Sequence, residues 1–264
     1  MDKPAHDRAP ILELRGISKS FGAVQALSGV DFEVFPAEVV ALVGDNGAGK
    51  STLVKVISGT YRPDSGEYIF EGKPVDINRP ADANDLGIQT VYQDLALCDN
   101  LDVVANLYLG RETKRPLIPG LLNTIDELGM EHAAQSFVDE LHVRIPSLRT
   151  RIASLSGGQR QSVAVARAVM WNSKVVLLDE PTAALGVEQT QQVKELIMRL
   201  REKGLGVVVI SHNLLDVFEV TDRIVVLRLG KRVASFDVHA TNHEQVVAAI
   251  TGAEFGRLPG QEGQ

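Results

Sequence analysis

The chain of 264 residues contains a single cysteine, Cys98. An internal disulfide and a cysteine-rich zinc site are therefore excluded, and a reducing compartment is the simplest setting. Cys98 itself reads as an ordinary small apolar residue. Positive charge is in deficit, with 27 Lys and Arg against 34 Asp and Glu for a net charge of −7. That balance offers no overall basic footprint for nucleic acid, so no nucleic-acid partner is expected. No apolar run reaches the roughly 18 residues that a membrane span requires. The polar start MDKPAHDRAP lacks the hydrophobic stretch of a signal peptide. The expectation is a soluble chain that meets a membrane only through a partner. Internal repeats and low-complexity tracts are missing as well.

What is present is a 44% hydrophobic sequence, enough for a sizeable core. Short continuous apolar runs at 39–43, 175–178 and 207–210 each end in glycine or polar residues. Such runs suit strands buried on both faces of a parallel sheet, whose carboxyl ends carry ligands. Residues 30–34 instead alternate apolar and charged, as a half-exposed antiparallel strand does. Glu71-Gly72 marks a hairpin between 68–70 and 73–75, and Gly230 a late hairpin over 223–237. Residues 102–109, 121–141 and 157–171 show helical spacing. An α/β core interrupted by a mostly helical lobe at 94–154 is expected. Residues 11–251 form the folded domain, between a flexible start (1–10) and a loose tail (252–264).

Gly44-Asp45-Asn46-Gly47-Ala48-Gly49-Lys50-Ser51 fits G-x-x-x-x-G-K-[ST] directly after an apolar strand. Glycines let the backbone wrap around phosphate, inward N–H groups and a helix N-terminus supply positive potential, and Lys50 adds a cation. The Ser51 hydroxyl is a ligand for Mg²⁺, and Thr52 a further donor. The strand at 175–178 ends in Asp179-Glu180. Beside a phosphate loop, Asp179 suits the Mg²⁺ shell and Glu180 suits a general base for an attacking water. Leu155-Ser156-Gly157-Gly158-Gln159 opens a further helix, with Ser156 as N-cap and two glycines exposing N–H groups that suit a γ-phosphate.

These three motifs, in the chain order 44–51, 155–159 and 179–180, resemble the nucleotide-binding subunits of ABC transporters. The resemblance spans Phe21 to His212. It implies a RecA-like P-loop NTPase core with an N-terminal antiparallel β subdomain and an inserted α-helical subdomain. It also implies head-to-tail dimers, in which Ser156, Gly157, Gly158 and Gln159 of one subunit cover ATP held by the other. By the same resemblance Phe21 stacks on adenine, Gln93 reaches Mg²⁺ and the attacking water, and His212 contacts the γ-phosphate. Residues 93–106 with Gly110-Arg111-Glu112 are similar to the ribose, xylose and fructose class of sugar importer ATPases, and 181–187 to a fructose branch. The implied partners are a second ATPase subunit, integral-membrane permease subunits docking after Gln93, and indirectly a solute-binding protein. The implied location is the cytoplasmic face of the cell membrane.

One departure stands out. After Pro181-Thr182 most members of the family read S-A-L-D, whereas this chain has Ala183-Ala184-Leu185-Gly186. The aspartate that helps connect two sites is replaced by Gly186, which keeps open an alternative: an ATP-sensing module or non-transport ABC ATPase with little turnover.

Overall fold

The computed structural model describes residues 9–118 and 122–253. Two long strands, β1 (Leu12–Phe21) and β2 (Val24–Val34), are followed by β3 (Val39–Val43) and helix α1 (Lys50–Ile57). Strands β4 (Ser65–Phe70) and β5 (Lys73–Val75), helix α2 (Pro80–Leu86) and β6 (Ile88–Val91) come next. Helix α3 (Val103–Leu107), hairpin strands β7 (Lys114–Ile118) and β8 (Leu122–Ile125), and α4 (Glu127–Glu140) build the lobe. The chain then runs through α5 (Gly157–Val169), β9 (Val175–Asp179), α6 (Val187–Glu202), β10 (Gly206–Ile210) and α7 (Leu214–Val220). It closes with β11 (Arg223–Arg228), β12 (Lys231–Asp237) and α8 (His243–Thr251).

The strands form an antiparallel sheet, β2-β1-β4-β5, and a six-stranded sheet, β12-β11-β3-β10-β9-β6. In the second sheet every neighbouring pair is parallel except β11 with β12. All five residues of β3 and of β10 are buried. Alternate residues face different cores, as the pleat requires. Val176, Leu178, Val207 and Val209 pack with α5 and α6, whereas Val175, Leu177, Val208 and Ile210 pack with α1 and the antiparallel sheet. A third cluster joins α7 and α8 to Ile224 and Val226. No helix among the described residues is long and apolar enough to cross a membrane.

One fully enclosed ion pair fastens the antiparallel sheet to the far end of the chain. Glu38 and Arg223, with side chains 1% and 4% exposed, meet through Nε–Oε1 at 2.7 Å and Nη2–Oε2 at 3.1 Å. Glu38 also accepts from the Phe35 N–H, and Arg223 donates to the Glu33 carbonyl. The remaining hydrogen-bonding capacity of the pair is thus largely used, the condition under which buried charges are tolerated.

The lobe departs from the sequence expectation. Residues 121–141 do not form one helix: β8 occupies Leu122–Ile125, and α4 starts only at Glu127, where the Asp126 side chain accepts from the Gly129 N–H. The expected helix at 102–109 is the shorter α3, capped by Asp102. Both hairpins read from the sequence form, with Glu71 (φ 50°) and Gly72 (φ 74°) in the left-handed region that a two-residue turn demands. The stretches expected to be loose lie largely outside the described residues.

Candidate functional site

The order of the central strands determines what gathers at their carboxyl edge. β10 lies between β3 and β9, with Ile210 paired to Leu42 on one side and Asp179 on the other. β6 follows, pairing Val91 with Leu178. The Gly44–Ser51 loop, Asp179-Glu180, Ser211-His212 and the turn carrying Gln93 therefore all leave the same edge of one sheet.

The phosphate loop is shaped by three glycines in the left-handed half of backbone space: Gly44 (φ 151°), Gly47 (φ 79°) and Gly49 (φ 103°). A Cβ on Gly44 would collide with the Leu227 carbonyl oxygen, and one on Gly49 would sit 2.7 Å from the Ala26 carbonyl oxygen. Gly47 is different, because nothing lies within 4 Å of its missing Cβ. The Lys50 ammonium spans the loop, donating to the carbonyls of Gly44 (2.7 Å) and Asp45 (3.0 Å). The Asp45 carboxylate accepts from the Asn46 N–H at 2.7 Å, and its carbonyl accepts from the Ala48 N–H. Gly49 precedes α1 without a side-chain cap, so the first-turn N–H groups of α1 receive nothing from a capping side chain. Ser51 is exposed and Thr52 half-buried at that end.

Burial, followed by the neighbouring Glu180 charge, pushes the Asp179 carboxyl above the usual carboxylate range, and Lys50 and Lys55 offset part of this. Adjacent carboxylates at the end of β9 are hard oxygen donors of the kind that suit a divalent cation such as Mg²⁺, although the described residues hold no cluster of three or more His, Cys, Asp or Glu that would bind one unaided. Glu180 adopts a left-handed backbone (φ 50°), and its N–H donates to the Ile210 carbonyl. That geometry ties the end of β9 to the end of β10. The Glu180 side chain is 18% exposed and shares a 2.9 Å hydrogen bond with Nδ1 of His212, which is 76% exposed.

Phe21 projects from the β1–β2 turn at 44% exposure, in edge contact with Tyr61 at 5.1 Å and with the Lys19 ammonium 5.6 Å from its ring. An exposed aromatic beside a second ring offers a face for stacking. Gln93 is exposed in the turn after β6.

Ser156 Oγ accepts from the Gln159 N–H (3.3 Å), and the Gln159 side chain accepts from the Ser156 N–H (2.9 Å), a reciprocal cap. Gln159 thus serves its own helix start. The glycines have a packing reason: a Cβ on Gly157 would lie 3.0 Å from Leu185, and one on Gly158 2.8 Å from Cβ of Gln189. Gly186 itself adopts an extended backbone (φ −72°) and caps α6 with no side-chain bond.

Two residues at the site escaped the sequence reading. Asp216 of α7 accepts from Thr182 Oγ1 and Asn213 Nδ2, both at 2.9 Å, and lies 3.5 Å from the Lys194 ammonium. It joins the segment after Glu180 to the segment after His212. Arg167 of α5 donates to the carbonyls of Leu95 and Ala96, next to Gln93. The available signal for Arg167 was a lone arginine in the apolar run 163–170.

Comparison with known proteins puts this arrangement in context. A family model described as ABC transporter matches residues 27–183. The chain is 47% identical over 248 residues to the xylose/arabinose import ATP-binding protein XylG of Sulfolobus acidocaldarius, covering 94% of this chain and 96% of that one. It is 47% identical over 247 residues to the fructose import ATP-binding protein FrcA of Rhizobium meliloti, covering 93% and 95%. The ribose import ATP-binding protein RbsA 1 of Rubrobacter xylanophilus is 44% identical over 237 residues, but the match covers only 46% of its length. Among solved structures, the ADP conformation of the ATP-binding cassette MJ1267 superposes with a TM-score of 0.77 at 27% identity, over 93% of this chain and 96% of that one. The dimeric cassette MJ0796 gives 0.69 at 25% identity, over 87% and 100%.

Proposed function

The chain belongs to the ABC transporter family, and from that premise we propose that it hydrolyses ATP to drive import of a small solute, with a monosaccharide as the cargo. The observation that carries this reading is the convergence of Lys50, Asp179, Glu180 and His212 on one edge of the central sheet. Relatives named for xylose/arabinose and fructose import, alike over nearly their whole length, support the class of cargo.

In this reading the Gly44–Ser51 loop and Thr52 hold the triphosphate, Lys50 exchanging its two carbonyl partners for phosphate oxygens. Phe21 stacks on the adenine. Ser51, Asp179 and Gln93 hold Mg²⁺, which when bound neutralises charge on the transferred phosphoryl group. Glu180 accepts a proton from the attacking water as general base, and His212 orients that carboxylate. Ser156, Gly157 and Gly158 offer a helix N-terminus to the γ-phosphate held by a second copy, while Gln159 holds that helix start in shape. A homodimer closing around two ATP molecules follows. Its exposed turn after Gln93 meets integral-membrane permease subunits on the cytoplasmic face, and a solute-binding protein delivers the cargo. Gly186 leaves Lys50, Glu180 and His212 in place, so hydrolysis is retained.

Light scattering of Glu180→Gln with ATP tests the reading. The expected outcome is a stable dimer, with phosphate release reduced by about 10²-fold or more. Only monomers at saturating ATP would reject the closed pair, and wild-type turnover would reject Glu180 as base.

A further inference from the structure

Gln93 opens a turn with an unusual backbone. Leu95 (φ 58°) and Ala96 (φ 47°) are consecutive non-glycine residues in the left-handed region, where Cβ crowds the following carbonyl. The Leu95 N–H bonds back to the Tyr92 carbonyl and the Ala96 N–H to the Asp94 carbonyl, which closes the turn tightly behind Gln93. Both strained residues point their carbonyl oxygens at a single group. Arg167 donates from Nη2 to Leu95 O at 3.0 Å and from Nη1 to Ala96 O at 2.7 Å. Among the described residues no carboxylate pairs with this half-buried guanidinium, whose pKa burial lowers from its usual value. Its cost of burial is therefore offset by two backbone dipoles, and the strain of those dipoles by its charge.

The origin of Arg167 gives the contact its meaning. It lies on α5, about three turns after the Ser156 cap. A second arginine on the same helix, Arg160, donates to the carbonyls of Ala153 and Leu155 and so holds the segment leading into that cap. One helix thus grips both the turn of Gln93 and the approach to Ser156.

We propose that Arg167 is a positioning residue that locks the Gln93 turn to α5, so that Gln93 and the Ser156–Gly158 loop move as one body. The inference rests on the roles given above to Gln93 and to that loop. The planar fork is essential to it, because a lysine carries the charge but cannot address two carbonyls bidentately.

Steady-state ATP hydrolysis by the full chain tests this through a double-mutant cycle of Arg167→Met with Gln93→Ala. Each single variant is expected to lose about 10-fold in kcat, with KM for ATP within about 2-fold, as a misplaced catalytic group would produce. The double variant is expected to be no slower than Gln93→Ala alone. Multiplying losses would overturn the proposal, since a purely structural arginine would lower activity in either background. Should Arg167→Met fail to fold, Arg167→Lys carries the same cycle with a smaller loss. Adding Leu95→Gly and Ala96→Gly, which accept the left-handed backbone without strain, should restore part of the loss in either arginine variant, and no restoration would count against it. Unchanged turnover in Gln93→Ala would reject the role of Gln93 instead, and the glycine rescue then decides on Arg167 alone.

Discussion

Nδ1 of His212 lies 2.9 Å from Oε1 of Glu180, so an exposed imidazole at the end of β10 fixes a largely buried carboxylate at the end of β9. The contact joins two side chains 32 positions apart through the shared edge of a parallel pair. It also makes the orientation of the proposed base sensitive to a residue that contributes little to the core.

Replacing His212 with Ala is accordingly expected to reduce turnover by about 10²-fold while leaving folding stability within about 0.5 kcal/mol. Phosphate release and thermal melting measured on one preparation separate these effects. A large drop in melting temperature would show that the imidazole is structural.

Asp179 yields a stability test with a defined sign. Its folded pKa is raised, chiefly by burial and then by Glu180. At pH below the ordinary carboxylate value the group is protonated whether folded or not and costs nothing. As pH rises through that value the unfolded chain ionises first, so stability falls until the folded pKa is passed and then stays constant. Asp179→Asn should therefore melt about 2–4 °C above wild type at neutral pH in EDTA without nucleotide. The gap should narrow towards about pH 4. Identical melting curves at neutral pH would reject the argument.

Gly44→Ala is expected to lose about 1–3 kcal/mol of stability and at least about 10-fold in ATP affinity. The added methyl group collides with the Leu227 carbonyl of β11 and forces the loop away from the sheet. Urea melts and nucleotide titration check the two losses. Gly47→Ala meets no such neighbour, and its smaller cost comes from the backbone angle alone.

At Gly186 the expectation runs the other way. The site has an extended backbone, room for a side chain with no atom within 4 Å of where its Cβ would lie, and an uncapped helix behind it. Gly186→Asp should cap α6 and raise the melting temperature by about 1–3 °C. A fall would show that the carboxylate is repelled, with Glu188 in the first turn as the nearest source of negative charge on the helix.

The strands that build the site were legible because each is a short apolar run ending at a polar pair or a glycine, which only a doubly covered sheet explains. The phosphate loop and the cap at Ser156 were legible because their chemistry is local. The β7–β8 hairpin was not. Pro116 interrupts it, and the leucines at 121, 122 and 128 imitate the spacing of the helix that follows. Arg167 and Asp216 were hidden for another reason: the contacts that tie them to Ala96 and to Thr182 span 71 and 34 positions. Gly157 and Gly158, the first residues of α5, carry a second reason for glycine that has no local mark: an added Cβ would meet Leu185 and Gln189.

The enclosed pair of Glu38 and Arg223 bridges 185 positions. During synthesis, the carboxylate at the start of β3 has no counter-charge until β11 leaves the ribosome. A prematurely terminated polypeptide lacks both Arg223 and the strand that pairs with β3 beside Glu38, so that end of the sheet is left unfinished. Such fragments already carry the whole Gly44–Ser51 loop, yet they could not settle into the finished sheet that presents it.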